Sequence, residues 1–316
     1  MVCEYILRIN KTNQCCVYPK FSEYDFGLIR LGNSGLGNLL FPWARAIILC
    51  HRCGFRLISP TWRTITVGPI LRGERDKRWY WDLFRSPSDY IRGVEKLTIL
   101  STWPKISEED FLQGRRSRRR TLVVCEGMND LFQPLLRHAE IVRQEVWQIT
   151  RQQHKPRSVE KLRRAVVVHI RLGDFRPASI DEIERGEVNS RVPIDWYVHV
   201  VEKLRSALNE NIPLLIVSDG TDSEVAAIMS SGRATRMNSR SAIGDLLVLA
   251  SAGVLIASGS TFSMWGSFMG RMPVIWPKGQ LRQRLYGDQR ELEIEMGLSD
   301  ELPPAFVAAA RQRLAG

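Results

Sequence analysis

The stretch AVVVHIRLGDF, residues 165–175, decides the fold, because an apolar β-branched run ends in polar residues. The run predicts a buried strand of a parallel sheet. Residues two apart on a strand share a face, so His169 and Arg171 are expected side by side at the carboxyl end of the sheet, where open α/β folds bind ligands. Arginine suits that place because its planar fork can hold two phosphate oxygens. The alternative is an ion pair between Arg171 and Asp174 that only closes the loop.

Similar short runs on either side predict eight strands separated by helical patterns, which is typical of parallel sheets built from βαβ units. The strands are FGLIRL from Phe26, FRLIS from Phe55, LTIL from Leu97, TLVVC from Thr121, AVVVHI from Ala165, LLIVS from Leu214, VLIAS from Val254 and PVIW from Pro273. A polar stretch, 150–164, separates them into two groups of four. We therefore predict an α/β protein with two Rossmann-like domains, residues 1–155 and 156–316, that face a cleft.

A glycine-rich turn, GNSGLGNLLF from Gly32, lies between a predicted strand and a predicted helix. Gly35 and Gly37 would let backbone N–H groups approach a phosphate, with Asn38 as the helix N-cap. It is not the dinucleotide fingerprint, because Leu40 stands at the third glycine position. A tight turn without a ligand is the alternative.

A third segment, GDLLVLASAGVLIASGSTFSMWGSFMG from Gly244, predicts a buried helix, a strand and a hydroxyl-rich turn that opens another helix. Ser260 and Thr261 at that helix start combine hydroxyls with free N–H groups, which favours an anion. Asp245 begins the preceding helix. The alternative makes the hydroxyls simple N-caps and Asp245 a first-turn charge.

The net charge of +11 over 316 residues indicates an anionic partner. We expect no nucleic acid, because no basic helix or aromatic platform accompanies the arginine-rich patch at 115–120. That patch is interpreted as a solvated loop, with peripheral contact to an anionic membrane as a further possibility. Neither a signal peptide nor a membrane span is visible, so we expect a cytoplasmic protein.

The six cysteines give no disulfide framework and no zinc pattern. Cys50 and Cys53 have CxxC spacing but close a predicted helix at Gly54, where the helix dipole opposes a thiolate. We interpret both as packing residues and predict no metal site.

In this order and spacing, the three segments resemble the α-1,2-fucosyltransferase family and its wider superfamily. GLGNLLF is similar to the family's GLGNQMF, HIRLGD to HxRRGD, and STFSMWGSF to SSFSWWGAW. EGMNDLFQPLL, VPIDWYVHVVEKL and LLIVSDG add further similarity, so the resemblance covers about Leu28 to Pro277. It implies the two-Rossmann architecture called GT-B and GDP-fucose as the donor, with a glycan acceptor and no other cofactor.

The resemblance also implies roles for single residues. Arg171 would hold the β-phosphate, and Ser260 or Thr261 would add phosphate contacts. The glycine turn around Gly35 would approach the diphosphate from the other domain. His169 and Asp245 would recognise guanine, whose N1–H and exocyclic amine can both donate to a carboxylate.

The expected reaction is a single inverting displacement of GDP by an acceptor hydroxyl, with α-1,2 linkage to galactose as the family's pattern. Asp174 is the candidate base, although an ion pair to Arg171 would lower its basicity. Two residues depart from the family: Leu172 replaces its second arginine and Gly220 its second aspartate. Two alternatives therefore remain, a GT-B transferase for another nucleotide sugar and an inactive nucleotide- or polyanion-binding protein.

Overall fold

The computed structural model describes residues 14–66, 78–115, 120–208, 211–232, 234–237, 241–287 and 289–316. They form two compact units, the first extending to Arg151 and the second comprising Gln152–Gly316. Each unit has its own parallel sheet and its own apolar core. The predicted α/β class with two parallel-sheet units is confirmed. The sequence prediction placed the boundary after residue 155.

The first unit is built on a four-stranded parallel sheet of order β3-β1-β6-β5. The strands of this unit, including a separate two-stranded pair, are β1 (Gln14–Lys20), β2 (Arg30–Leu31), β3 (Arg56–Leu57), β4 (Thr64–Ile65), β5 (Lys105–Ser107) and β6 (Arg120–Glu126). Its helices are α1 (Leu36–Cys53), α2 (Gly93–Thr102), α3 (Glu108–Leu112) and α4 (Ala139–Ile149). Gly54 ends α1 with a φ of 67°, as predicted.

Two predicted strands of the first unit are wrong. Residues 97–100 lie inside α2, whose buried Lys96 and Ile99 are three residues apart, as on one side of a helix. Residues 26–31 supply only the short β2, which pairs with β4 outside the main sheet. The first strand of the sheet is instead β1, which lies between β3 and β6.

The second unit is built on a six-stranded parallel sheet of order β11-β10-β7-β12-β13-β14. The strands of this unit, including a separate pair, are β7 (Val166–Ile170), β8 (Arg176–Pro177), β9 (Ser190–Arg191), β10 (Leu214–Ser218), β11 (Ala234–Arg236), β12 (Val254–Ile256), β13 (Val274–Pro277) and β14 (Glu293–Met296). Its helices are α5 (Val159–Arg163), α6 (Ile180–Glu184), α7 (Ile194–Leu208), α8 (Ala226–Met229), α9 (Ala242–Ala250), α10 (Thr261–Gly270) and α11 (Pro304–Ala315).

Numbered along the chain, the six strands of this sheet have the order 3-2-1-4-5-6 of the doubly wound nucleotide-binding fold. The central strand β7 is buried along its whole length, as is typical of strands in parallel sheets. All four strands predicted for this unit are present.

Within the described residues, no helix is long and apolar enough to cross a membrane. Five described cysteines are free thiols, and burial raises the pKa of Cys50. Of the predicted arginine patch, residues 116–119 lie outside the described residues.

Candidate functional site

The order of strands in the second unit reverses between β7 and β12. The chain continues from β7 to β10 and β11 on one side, and from β12 to β13 and β14 on the other. Ligands of such sheets bind in the crevice outside the carboxyl ends of the strands at this switch point. Residues 171–175 follow β7 and residues 257–260 follow β12. The fold therefore brings two of the three segments selected from the sequence to the same edge.

His169, at the end of β7, lies in a buried cluster of hydroxyl groups. Its Nδ1 lies 2.6 Å from Ser263 Oγ and 3.2 Å from Ser258 Oγ. Ser258 Oγ lies 2.9 Å from the Oγ of Ser260, which caps α10 by accepting from the Ser263 backbone N–H. The cluster attaches the turn before α10 to the strand that leads to Arg171.

The His169 ring is neutral at neutral pH. Burial and then the nearby Arg171 charge lower the pKa of His169 to about 3. A neutral imidazole has one N–H donor and one acceptor nitrogen. His169 can therefore orient hydroxyls or a ligand group, but it does not supply a charge.

Arg171 is held by two carboxylates. Its Nη2 lies 2.6 Å from Asp174 Oδ1, and its Nη1 lies 2.7 Å from Asp219 Oδ2. The guanidinium also lies over the Phe175 ring, with Cζ 5.5 Å from the ring centroid. The ion pair with Asp174 is the alternative that the sequence left open, and the second carboxylate adds to it. The cluster has one positive and two negative formal charges, so a phosphate at this guanidinium would compete with the two carboxylates.

Asp219 is a site residue that sequence reasoning did not assign. It follows β10, which pairs with β7, and its Oδ1 accepts from the Leu172 backbone N–H at 2.8 Å. A Cβ at Gly173 would lie 2.4 Å from Asp219 Oδ2, so the glycine of the HIRLGD motif allows this close approach. The available signal was its position at the carboxyl end of the neighbouring strand.

The turn between β12 and α10 has a second arginine beside it. Arg282, which follows β13, donates from Nη2 to the Gly259 carbonyl at 3.1 Å. Partial desolvation lowers its pKa. Gly259 also packs closely on Gln280, since a Cβ would lie 2.1 Å from Gln280 Oε1. Nothing in the sequence pattern marked Arg282, because its partner is 23 residues away on another loop.

Asp245 and Thr261 lie on the two helices next to this turn. Asp245 is half-buried in the first turn of α9, which Ser241 caps by accepting from the Gly244 N–H. Helix α9 packs against α10, whose first residue is the half-buried Thr261. Asp245 and Thr261 thus lie on the two adjacent helices that come before and after β12 along the chain.

Leu172 and Gly220, the two departures from the family pattern, are in contact. A Cβ at Gly220 would lie 2.4 Å from Leu172 Cδ1, and Leu172 is 5% exposed. Leu172 also lines a cavity of about 250 Å³ whose other walls include Val192, Ile194 and Glu224. The two departures therefore form one apolar contact beside the ion-paired Arg171.

The glycine turn lies in the first unit. Gly35 is the N-cap of α1, Gly37 is buried in its first turn, and the Asn38 N–H donates to the Gly35 carbonyl at 3.1 Å. The prediction that Asn38 caps this helix is wrong, because the helix begins two residues earlier, at Leu36. The Leu36 N–H is instead satisfied by the Tyr80 hydroxyl at 3.0 Å.

In the described ranges, no group of three or more His, Cys, Asp or Glu side chains is arranged to hold a metal ion.

No protein-family model and no curated protein matches this chain. Several solved structures align with this chain, with low sequence identity and low TM-scores. Fucosyltransferase NodZ from Bradyrhizobium has 12% identity and a TM-score of 0.45, covering 83% of this chain and 95% of its own. POFUT1 in complex with GDP has 12% identity and a TM-score of 0.40, covering 85% and 99%.

The glycosyl transferase family 9 protein from Veillonella parvula DSM 2008 has 9% identity and a TM-score of 0.38, covering 97% of each chain. With TM-scores below 0.5, these three overlaps identify no family for the chain.

Proposed function

We propose that the chain is a GT-B glycosyltransferase that transfers fucose from GDP-fucose to a hydroxyl group of a glycan. One observation carries the proposal: the HIRLGD and SGSTFSMWG segments meet at the switch point of a sheet with the strand order of a nucleotide-binding fold. Their likeness to fucosyltransferase motifs favours a GDP-sugar over other nucleotides.

The N-terminus of α10 is the proposed diphosphate site. Ser260 and Thr261 provide hydroxyls there, and the helix dipole favours an anion. Arg282 adds a cation at the Gly259 carbonyl of the same turn. This cation offsets the one that is absent at Leu172.

Guanine recognition is proposed for Asp245 and His169. A carboxylate on α9 can accept from both N1–H and the exocyclic amine of guanine. The neutral His169 ring, fixed by hydroxyls at 2.6 and 3.2 Å, can take part without repelling those donors as a cation would. The glycine turn, with Gly35, Gly37 and Asn38, is proposed as a further diphosphate contact.

Diphosphate binding at Arg171 would change the ion pairs around it. A phosphate that takes the position of Asp174 on the guanidinium breaks the 2.6 Å ion pair and releases that carboxylate. Released Asp174 is more basic, because the cation no longer stabilises its ionised form. Donor binding would thus prepare the proposed base.

In the proposed step, an acceptor hydroxyl oxygen attacks the anomeric carbon as the bond from that carbon to the diphosphate oxygen breaks. The bonding electrons leave on GDP, the hydroxyl proton goes to Asp174, and the configuration inverts. Arg171, Arg282 and the α10 N-terminus meet the charge that develops on the leaving group, without a metal ion. An α-1,2 linkage to galactose is the finer form of the proposal.

A second candidate is a GT-B transferase for another nucleotide sugar. The contact between Leu172 and Gly220 favours this second candidate. At these two positions an apolar pair replaces an arginine and an aspartate of the fucosyltransferase pattern.

The test measures turnover of nucleotide sugars in the presence of galactose-terminated acceptors. The release of GDP or UDP is the readout. We expect GDP-fucose to be consumed, Arg171→Ala to abolish this, and Arg311→Ala, an exposed arginine on α11, to leave it unchanged. Consumption of a different donor would support the second candidate. Nucleotide binding without consumption of any donor would indicate an inactive binding protein.

A further inference from the structure

Arg30 in the first unit is a buried guanidinium without a hydrogen-bond partner. Its side chain is 0% exposed, and Nε, Nη1 and Nη2 all lack a partner among the described residues. The Phe21 ring lies beside it, with Cζ 5.9 Å from the ring centroid. A buried charge that has lost its water without gaining hydrogen bonds is strongly unfavourable. A hydrogen-bond acceptor or anion at this guanidinium would offset that cost.

The backbone fixes Arg30 in this position. Its N–H donates to the Arg63 carbonyl at 3.0 Å, and Arg30 pairs with Thr64 in the β2–β4 ladder. On its other side it forms an antiparallel bridge with Asp25. The main chain at Arg30 is thus held on both sides, and its side chain points into the interior.

A second unpartnered polar atom lies beside the guanidinium. Ser22 Oγ is buried and lacks a hydrogen-bond partner among the described residues. A Cβ at Gly32 would lie 3.4 Å from Arg30 Nη1 and 3.9 Å from Ser22 Oγ. The unpartnered Arg30 Nη1 and Ser22 Oγ atoms therefore lie on the same side of Gly32, close to each other.

The surroundings have an excess of positive charge. Lys96 is a second buried cation, 4% exposed, whose Nζ donates to the Ser59 carbonyl at 2.6 Å and to Thr61 Oγ1 at 3.0 Å. Asp25 is the carboxylate whose charge acts on both cations, and its oxygens accept from the backbone N–H groups of Gly27 and Phe21. One carboxylate cannot neutralise two cations, so a further negative charge would balance this interior.

We infer that Arg30 and Ser22, beneath Gly32, form a binding site for a phosphate-type oxyanion. The planar guanidinium presents two parallel N–H groups to such an anion, and the serine hydroxyl can donate a third hydrogen bond. The oxyanion comes either from free inorganic phosphate or from a nucleotide phosphate. The inference does not depend on the donor site proposed in the second unit.

The experiment measures melting temperature in inorganic phosphate against chloride at constant ionic strength, with GDP as a separate arm. We expect a saturating rise of about 3 °C or more in phosphate for the unmodified protein. Arg30→Met should abolish the rise, and Ser22→Ala should weaken it. Arg63→Met, which removes an exposed arginine just before β4, should leave it intact.

Without phosphate, Arg30→Met should be at least as stable as the unmodified protein, because it removes an unpaired buried charge. If Arg30→Met does not fold, calorimetric titration of phosphate, and separately of GDP, into the unmodified protein and Ser22→Ala decides the question. Saturable binding that Ser22→Ala weakens supports the site, and absence of binding by both phosphate and GDP overturns it. A phosphate rise that persists in Arg30→Met also overturns it. A response to GDP but not to phosphate assigns the anion to the nucleotide, provided that Arg30→Met loses that response.

Discussion

The buried His169 predicts a loss of stability in mild acid. Its pKa is about 3 in the folded protein against 6.5 for an ordinary histidine. Between these values the unfolded chain binds a proton that the folded one does not, so stability is complete above pH 6.5 and falls as the pH decreases toward 3. Each pH unit below 6.5 in this interval lowers the free energy of unfolding by about 1.4 kcal/mol. At pH 5.5 we therefore expect His169 to reduce the free energy of unfolding by about 1.4 kcal/mol.

The assay compares urea unfolding at pH 7.5 and pH 5.5 for the unmodified protein and for His169→Gln, whose amide does not titrate. Between pH 7.5 and pH 5.5, the free energy of unfolding of the variant should decrease by about 1.4 kcal/mol less than that of the unmodified protein. His51→Gln, at a half-exposed histidine on α1, is the matched control and should keep the pH dependence that His169 causes. Equal pH dependence in the unmodified protein and His169→Gln would refute the burial of a neutral imidazole.

Three further predictions concern the site. Arg171→Lys should remove most donor turnover, because lysine keeps the charge but not the two-pronged geometry that contacts Asp174 and Asp219 and that the proposed function uses for phosphate; turnover near that of the unmodified protein would contradict this role. Gly220→Ala should destabilise the fold by about 1–3 kcal/mol through overpacking on Leu172, and Leu172→Ala should relieve part of that cost; urea unfolding of both single variants and the double variant measures this, and strict additivity would argue against the contact. Donor turnover should survive EDTA; loss that Mg²⁺ or Mn²⁺ restores would show that a metal ion is required.

The sequence was most informative where strands are buried on both faces. The runs that form β7, β10, β12 and β13 are continuous and rich in β-branched residues. Each run therefore predicts a strand without any knowledge of the neighbouring strands. The first unit was harder, because β1 contains Pro19 although it pairs on both sides, and proline argues against a central strand. The run at 26–31 looked like a strand, yet Phe26 and Leu28 are 61% and 59% exposed.

The site was predicted only as far as residues close together in sequence could reveal it. HIRLGD and SGSTFS were each visible, and the rule about carboxyl ends of strands predicted that they would lie at ligand-binding edges. Asp219 and Arg282 were missed because their contacts join loops 48 and 23 residues apart. The unpaired Arg30 was also invisible, since burial without a partner is a property of packing and not of a local pattern.

Nucleotide preference tests the central claim most directly, through melting temperatures of the protein with GDP, UDP and ADP. A nucleotide at about 100 times its dissociation constant adds roughly 2.7 kcal/mol to the free energy of unfolding. We predict this shift with GDP and not with UDP or ADP. Asp245→Asn should erase the preference, because it leaves a guanine donor unpaired at a cost of about 1–3 kcal/mol. Equal stabilisation by GDP and UDP in the unmodified protein would contradict a guanine site and, with it, fucose as the transferred sugar.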